Sequence, residues 1–306
     1  MEKFKTLDYT LLYKNTGIGA YNENLVKTLR KIYENDIKIY RCQSKLELVT
    51  NVVICLFCNI FKNARIIFPD ERFTKFGWMF KKSIFIVHDL RRARYLGYIA
   101  KRNSIVSVSK STAERVTELT CVRSDIWPNV ISIDHLQLTR SPKVKYDLVY
   151  IGSFERRKNV EELIQFTEGK KLKLCIACSG CYGSRCGLEL RDLIINSKYV
   201  TMYVDLDDIK KTEILYSSKA YISNSVYEGF GRGVAEAILH GRNVYLRTTP
   251  ENLANFGELV MYYSNLEEIN LRSLESRSDT IDHFKLEEFA QSLTIKRLEE
   301  AILKTI

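Results

Sequence analysis

The densest set of chemically capable residues in this 306-residue sequence is SVYEGFGRGVAEAILHG, positions 225–241. There Glu228 and Glu236 stand eight positions apart around Gly229, Gly231 and Gly233, three of the 14 glycines in the chain. Glycine serves where the backbone must take unusual dihedrals or let another group come close. The stretch reads as a strand end, a loop and a short helix. Backbone amides of Gly229, Phe230 and Gly231 at the helix start suit a phosphate or sugar oxygen, so these glycines are expected to make room for an anionic or polyol ligand. Full helical spacing would separate the two carboxylates by about 12 Å. Hydrolytic carboxylate pairs need roughly 5 to 9.5 Å. Each glutamate is therefore expected to hold a different hydroxyl-rich part of one extended ligand.

Three further stretches place chemistry at strand ends. In YIGSFERRKNVEELIQF (150–166) an apolar run stops at Gly152, and Arg156, Arg157 and Lys158 precede a helical pattern. A planar fork of donors beside a point charge suits a diphosphate. A charge run is commonly only a solvated face, but its place between strand and helix favours phosphate binding. FIVHDL (85–90) ends a strong apolar strand in His88 and Asp89, where a structural and a functional histidine remain equally open. KNTGIGAYNENL (14–25) sets Gly17 and Gly19 at a helix start, which can be a plain turn or an anion loop. Cys175, Cys178, Cys181 and Cys186 are spaced like metal ligands, yet the first two lie in KLKLCIACSG, a buried-strand pattern in which an odd separation points side chains to opposite faces. They read as buried apolar thiols, as do Cys55 and Cys58, and no metal site is expected.

The elements that must position these residues are short β-rich runs alternating with helical patterns, the mark of parallel α/β architecture. DYTLLY, IKIYRC, ARIIFP, SIFIVHD and SIVSVS fill the first half, and YDLVYIG, LKLCIAC, YVTMYVD, AYISNS and NVYLRT the second. Tyr21, Leu25, Leu29 and Ile32 recur on one face of a helix, and FKLEEFAQSLTIKRLEEAILKTI reads as one long amphipathic helix. QLTRSPKVK (137–145) lacks periodicity and reads as a linker. Two Rossmann-like domains follow, 1–140 and 141–306, the final helix free to pack back on the first. Residues 1–140 hold 24 Lys+Arg against 13 Asp+Glu and the remainder 23 against 24, so the whole +10 excess sits in the N-terminal half. A basic half points to an anionic partner: nucleic acid, a phosphorylated substrate or an acidic bilayer. The longest apolar run, VVICLFCNIF (52–61), is far short of the roughly 20 residues that span a bilayer and reads as a core segment, with a shallow membrane edge as the alternative. Without an export signal, eight cysteines fit a reducing cytoplasm.

Taken together, the TGIG loop, HD, VSVSKSTAERV, GSFERRKN and SxYEGFGxxxxEAxxxG resemble glycosyltransferase family 4, retaining enzymes of the GT-B fold, of the bacterial polysaccharide or O-antigen type. The likeness covers most of the chain, and the last two motifs, about 70 residues apart, are the specific ones. It implies two Rossmann-like domains facing across a cleft, acceptor side first and nucleotide-sugar side second. It implies that Arg157 and Lys158 contact the donor diphosphate, that Glu236 holds the ribose, and that Glu228 with the Gly229–Gly231 amides contacts the transferred sugar. His88 would orient that sugar, and Gly17 and Gly19 would close over the phosphates. Base recognition is expected from backbone groups near Gly180 and Val204. No metal and no covalent nucleophile are implied. The chain departs from the family at Ala20, where arginine is common, and at Arg232–Gly233, where Leu-Pro is usual.

The expectation is a metal-independent hexosyltransferase moving a sugar from a UDP-, GDP- or dTDP-sugar donor to a saccharide acceptor, lipid-linked, in cell-surface polysaccharide or lipopolysaccharide synthesis. It would be cytoplasmic and peripheral at the inner face of the plasma membrane, its basic half toward anionic lipid. A basic nucleic-acid-binding protein is the alternative from another class, although no nucleic-acid module is recognisable. A sugar-nucleotide epimerase of the same fold is the alternative within enzymes.

Overall fold

The computed structural model describes residues 3–10, 16–90, 95–131, 143–178, 185–270 and 282–306. Two compact units emerge, Met1–Val130 with Gln291–Ile306, and Ile131–Ala290. The change of unit precedes the stretch 137–145, of which 137–142 lie outside the described residues.

The first unit contains β1 (Phe4–Asp8), α1 (Gly17–Tyr33), β2 (Ile37–Arg41), α2 (Lys45–Lys62), β3 (Arg65–Phe68), β4 (Ile84–Val87), α3 (Leu96–Ile99), β5 (Ser104–Ser107), α4 (Lys110–Thr120) and β6 (Asp125–Ile126). The strands form a parallel sheet in the order β2-β1-β3-β4-β5-β6. Strand β4 is buried along its whole IFIV length, as a parallel strand covered on both faces must be. The first strand lies earlier than DYTLLY suggested; 11–13 of that run fall outside the described residues. Helix α1 opens with Thr16, whose hydroxyl accepts from the Gly19 amide at 3.1 Å, and it buries Tyr21, Leu25 and Leu29.

Helix α2 corrects the reading of 52–61 as core. Ser44 caps it and Glu47 reaches back to the Gln43 amide (2.7 Å), while Asn63 at φ 50° ends it. Of this helix, Cys55, Cys58 and Asn59 are buried, whereas Val53, Phe57, Ile60 and Phe61 face outward. Helical rather than extended geometry sets Cys55 and Cys58 on one inward face.

The second unit contains β7 (Tyr146–Gly152), α5 (Val160–Lys170), β8 (Leu174–Cys178), α6 (Arg185–Asn196), β9 (Val200–Val204), α7 (Asp208–Tyr216), β10 (Ser218–Ser223), α8 (Arg232–Leu239), β11 (Asn243–Arg247), α9 (Pro250–Phe256), β12 (Met261–Tyr263) and all but the last two residues of α10 (His283–Ser292). Its parallel sheet runs β9-β8-β7-β10-β11-β12, the strand order of dinucleotide-binding folds. The chain winds outward in both directions from the adjacent pair β7 and β10. Leu148, Tyr150, Leu163, Leu174, Ile176 and Ile222 centre its core.

The final amphipathic pattern is two helices, not one. Thr294 accepts from the Arg297 amide (3.2 Å) and starts α11 (Ile295–Thr305). This helix belongs to the first unit. Leu298 and Ile302 are fully buried, Glu299 pairs with Lys31 (2.6 Å), and the Trp127 indole donates to Thr305 Oγ1 (3.1 Å).

Candidate active site

In an open parallel sheet, ligands bind beyond the carboxyl ends of the strands at the point where the order reverses. In the second unit that point lies between β7 and β10. Residues 156–158 leave β7 as a single 3-10 turn, ended by Asn159 at φ 49°. The loop after β10 lies against it, the Val226 amide donating to the Arg157 carbonyl at 2.8 Å. The topology thereby joins two motifs 70 residues apart.

Glu228 is buried and accepts three donors: Lys158 Nζ, Arg157 Nη1 at 3.1 Å and Ser225 Oγ at 2.9 Å. Arg157 also donates through Nε to Glu155 Oε2 (2.9 Å) and through Nη1 to the Tyr227 carbonyl (3.0 Å). Ser153 Oγ in turn donates to Glu155 Oε1 (3.0 Å). Burial by itself would raise the Glu228 pKa. The Lys158 and Arg157 cations, with hydrogen bonds from Lys158 and Ser225, outweigh it and hold the carboxyl below its ordinary range. Burial also pulls the Lys158 ammonium down, helped by Arg157 and opposed by Glu228. The result is a half-buried, charge-balanced cluster of two carboxylates and two cations, whose guanidinium and ammonium offer what phosphate oxygens need. Sequence reasoning placed Arg157, Lys158 and Glu228 here; it missed Ser225 and Glu155, which lie within the same quoted motifs.

Two of the three loop glycines have structural reasons of their own. Gly231 sits at φ 86° as the cap of α8, a conformation that side chains other than glycine adopt at a cost. A Cβ on Gly233 would stand 2.9 Å from the Ile151 carbonyl oxygen, so glycine lets α8 lie directly on β7. At Gly152 the added atom would run into the Tyr150 ring, whose hydroxyl folds back to the Ser153 carbonyl (2.9 Å). Gly229 and Phe230 are held by Asn255, whose amide donates to both carbonyls at 3.1 and 3.4 Å.

Glu236 lies one turn into α8 and pairs with Arg232 Nε at 3.0 Å. The arginine that departs from the family pattern is thus the partner of its second glutamate. Buried Tyr221 feels both carboxylates, and its hydroxyl donates to the Ile151 carbonyl at 3.2 Å. Burial first, then the charges of Glu228 and Glu236, raises its pKa. Beside the cluster, Asn224 donates to Glu162 Oε2 (2.9 Å), which also pairs with Arg247 Nη1 (3.3 Å). Val204 ends β9 opposite Cys178; Gly180 and Cys181 lie outside the described residues. Cys175 and Cys178 are buried in β8, and burial pushes the Cys175 thiol up to about 12.

The remaining candidates belong to the first unit. Gly17 and Gly19 are in the first turn of α1 rather than in a loop, and the Gly19 amide is already engaged by Thr16. His88 is half-buried, its Nε2–H donating to the Pro69 carbonyl (2.9 Å), with Tyr21 edge-on at 4.7 Å. Burial lowers its pKa against the opposing pull of the Pro69 carbonyl, Asp70 and Asp89. The order of this sheet reverses between β1 and β3, and a buried group that the sequence did not reveal sits there. Tyr9 donates to Asp70 Oδ2 (3.1 Å), Arg72 pairs with Asp70, and Glu71 Oε2 accepts from the His88 amide (3.1 Å). Burial, with Asp70 and Asp89 nearby, raises Glu71 to about 7.

No protein-family model matches the sequence, and no curated protein matches it. Solved structures do. The chain is similar to Anabaena HepE in complex with UDP and glucose (13% identity, 100% of this chain and 99% of that one, TM-score 0.70). It is similar to sucrose-phosphate synthase from Thermosynechococcus elongatus (13% identity, 98% and 94% covered, TM-score 0.67). It is also similar to the apo form of the lipopolysaccharide outer core galactosyltransferase WaaB (12% identity, 99% of each chain, TM-score 0.65). At such identities the likeness shows the fold: two Rossmann-like parallel-sheet domains of the GT-B type.

Proposed function

We propose that this chain is a glycosyltransferase that moves a sugar from a nucleotide-sugar donor to a saccharide acceptor, of the retaining, metal-independent kind. The observation that carries the reading is the cluster of half-buried Arg157 and Lys158 on buried Glu228 at the strand-order reversal of a GT-B fold. HepE, the similar structure with UDP and glucose bound, supports a nucleotide sugar as the co-substrate. Arg157 and Lys158 would exchange carboxylate oxygens for those of the leaving diphosphate and stabilise the charge that develops on it. No metal is needed for that role. Glu228, kept as a carboxylate by its cations, can accept a hydrogen bond from a sugar hydroxyl but has no proton to give. The bond from the anomeric carbon to the diphosphate breaks, the bond to the acceptor oxygen forms on the same face, and the leaving diphosphate takes the acceptor's proton. Glu236 would hold the ribose, His88 would orient the sugar, and Gly17 and Gly19 would lie over the phosphates. The backbone near Gly152, Gly180, Val204 and the Gly229–Gly231 amides would complete the donor site.

The finer reading is a family 4 enzyme of cell-surface polysaccharide or lipopolysaccharide synthesis. Its acceptor would be lipid-linked and its basic half turned to an anionic membrane surface in the cytoplasm. A thermal-shift panel of UDP-, GDP- and dTDP-sugars tests the core of this. One donor is expected to raise the melting temperature, and turnover is expected only when an acceptor is added. A shift from oligonucleotides alone would favour the nucleic-acid reading, and turnover without acceptor an epimerase.

A further inference from the structure

Helix α2 runs for 18 residues, about 27 Å, along the first unit. From Leu48 to Phe61 it carries no charged residue, so its outer face is as apolar as its inner one. A helix apolar all round is normally buried on every side. Here the outer stripe is open: Leu46 is 77% exposed, Phe57 54% and Phe61 70%, with Val49, Val53 and Ile60 between them. The Phe57 and Phe61 rings touch, centroids 4.6 Å apart. The polar side chains of the stretch are tied to the backbone: exposed Thr50 donates to the Leu46 carbonyl (3.0 Å), half-buried Asn51 to Arg41 (3.0 Å) and buried Asn59 to Ala64 (2.7 Å).

A basic rim adjoins the C-terminal end of this stripe. The Asn59 side chain binds both backbone groups of Lys81 (2.9 and 3.0 Å), Arg65 Nε donates to the Lys82 carbonyl (3.1 Å), and the Lys82 amide donates to the Arg102 carbonyl (2.9 Å). Lys101 and Arg102 line one small recess together with two exposed aromatics, Trp78 and Tyr98. Among the described residues of 45–103 there are nine Lys+Arg against four Asp+Glu, and three of those four, Asp70, Glu71 and Asp89, are buried.

We propose that the outer face of α2, with this rim and Trp78, is a membrane-docking surface that seats the helix in the interface of an anionic bilayer. An exposed apolar stripe of this size marks a binding face. The charge selects the occupant: a second copy would set two cationic rims against each other, while anionic headgroups complement them. No helix of the described residues is long and apolar enough to cross a membrane, so α2 lies in the interface plane, apolar side down. This rests on the reading above only in that a lipid-linked acceptor brings the chain to a membrane.

The chain supplies its own probe. Of its two tryptophans, Trp127 is fully buried and Trp78 is 58% exposed. The full chain, without nucleotide, is mixed with phosphatidylcholine vesicles and with vesicles also containing phosphatidylglycerol. Expected are co-flotation with the anionic vesicles, a blue shift of Trp78 emission, and a bound fraction that high salt reduces but does not remove. Phe57→Ser with Phe61→Ser is expected to weaken partitioning by about tenfold or more, as removal of two exposed rings dictates. Lys81→Glu with Lys82→Glu is expected to abolish the preference for anionic lipid. No flotation, or flotation indifferent to the phenylalanine change, overturns the proposal. So does a wild-type dimer in solution that the phenylalanine change makes monomeric, which would identify a second copy as the occupant. Vesicle binding is read without a sugar nucleotide, and the donor panel without lipid, so either reading can fail alone.

Discussion

Glu228 and Glu236 are distinguished by their partners. Lys158 and Arg157 hold Glu228, whereas Arg232 alone pairs with Glu236 among the contacts described. Removing Glu228 strands the half-buried Lys158 ammonium, at the lower end of the about 3 to 5 kcal/mol that deleting one partner of a fully buried pair costs. Glu228→Ala is therefore expected to lower the melting temperature and cut turnover roughly 10- to 150-fold. Its affinity for the free nucleoside diphosphate should stay level or rise, because the cations lose a competitor. Glu236→Ala is expected to weaken that affinity instead. Calorimetry beside initial rates measures both, and equal loss of affinity would refute the division of roles. In the first unit, Glu71 supplies a pH effect. Its pKa stands at about 7 against an ordinary 4.5, so the folded chain binds this proton more tightly than the unfolded chain. The linked stability is complete below about pH 4.5 and lost as pH rises through about 7. His88, lowered by burial, acts in the opposite sense. The comparison that isolates Glu71 is the melting temperature of Glu71→Gln minus that of the parent, expected to be larger near pH 8 than near pH 5. A difference independent of pH would rule the effect out.

At the scale of elements, Gly233 fixes how closely α8 approaches β7. Gly233→Ala puts a methyl against the Ile151 carbonyl and is expected to cost about 1 to 3 kcal/mol, read as a lower denaturation midpoint. Gly97→Ala, whose new methyl meets its nearest neighbour at 3.8 Å, is the control expected to change little. What was legible in the sequence follows the range of the forces involved. Apolar runs such as IFIV and LCIAC announced their strands, since buried parallel strands need apolar residues on both faces. The two-residue β6 and three-residue β12 carry too little pattern to see. Arg157, Lys158 and Glu228 could be found because strand ends locate α/β sites. The Asp70–Glu71 group could not: Tyr9 reaches Asp70 across 61 positions, and PDE reads as an ordinary turn. The exposure of α2 was hidden for a related reason. Apolar composition says that a segment leaves water; it does not say what it enters.

For the whole molecule, two outcomes are expected. Sugar transfer should survive EDTA, because the cation pair takes the part a metal would play. Complete loss on chelation, restored by Mg²⁺ or Mn²⁺, would overturn that. Truncation before Ile295 should destabilise the first unit by several kcal/mol, for it removes two fully buried side chains and uncovers their partners. Urea denaturation of the truncated and full chains reads this directly, and unchanged unfolding would show α11 to be dispensable.

That last helix also sets an order of events during synthesis. The second unit is one continuous stretch, Ile131–Ala290, complete as soon as its last residue is made. The first unit is not complete until Gln291–Ile306 arrives, although most of it precedes the second unit in the chain. Its Lys31–Glu299 contact closes a span of 268 residues, the kind of pairing that forms slowly because so much chain must be ordered first. Domains normally mature in the order in which they leave the ribosome. Here the half that emerges first is the half that finishes last, and until it does its nascent form has the apolar faces of α1 and Trp127 without the helix that covers them.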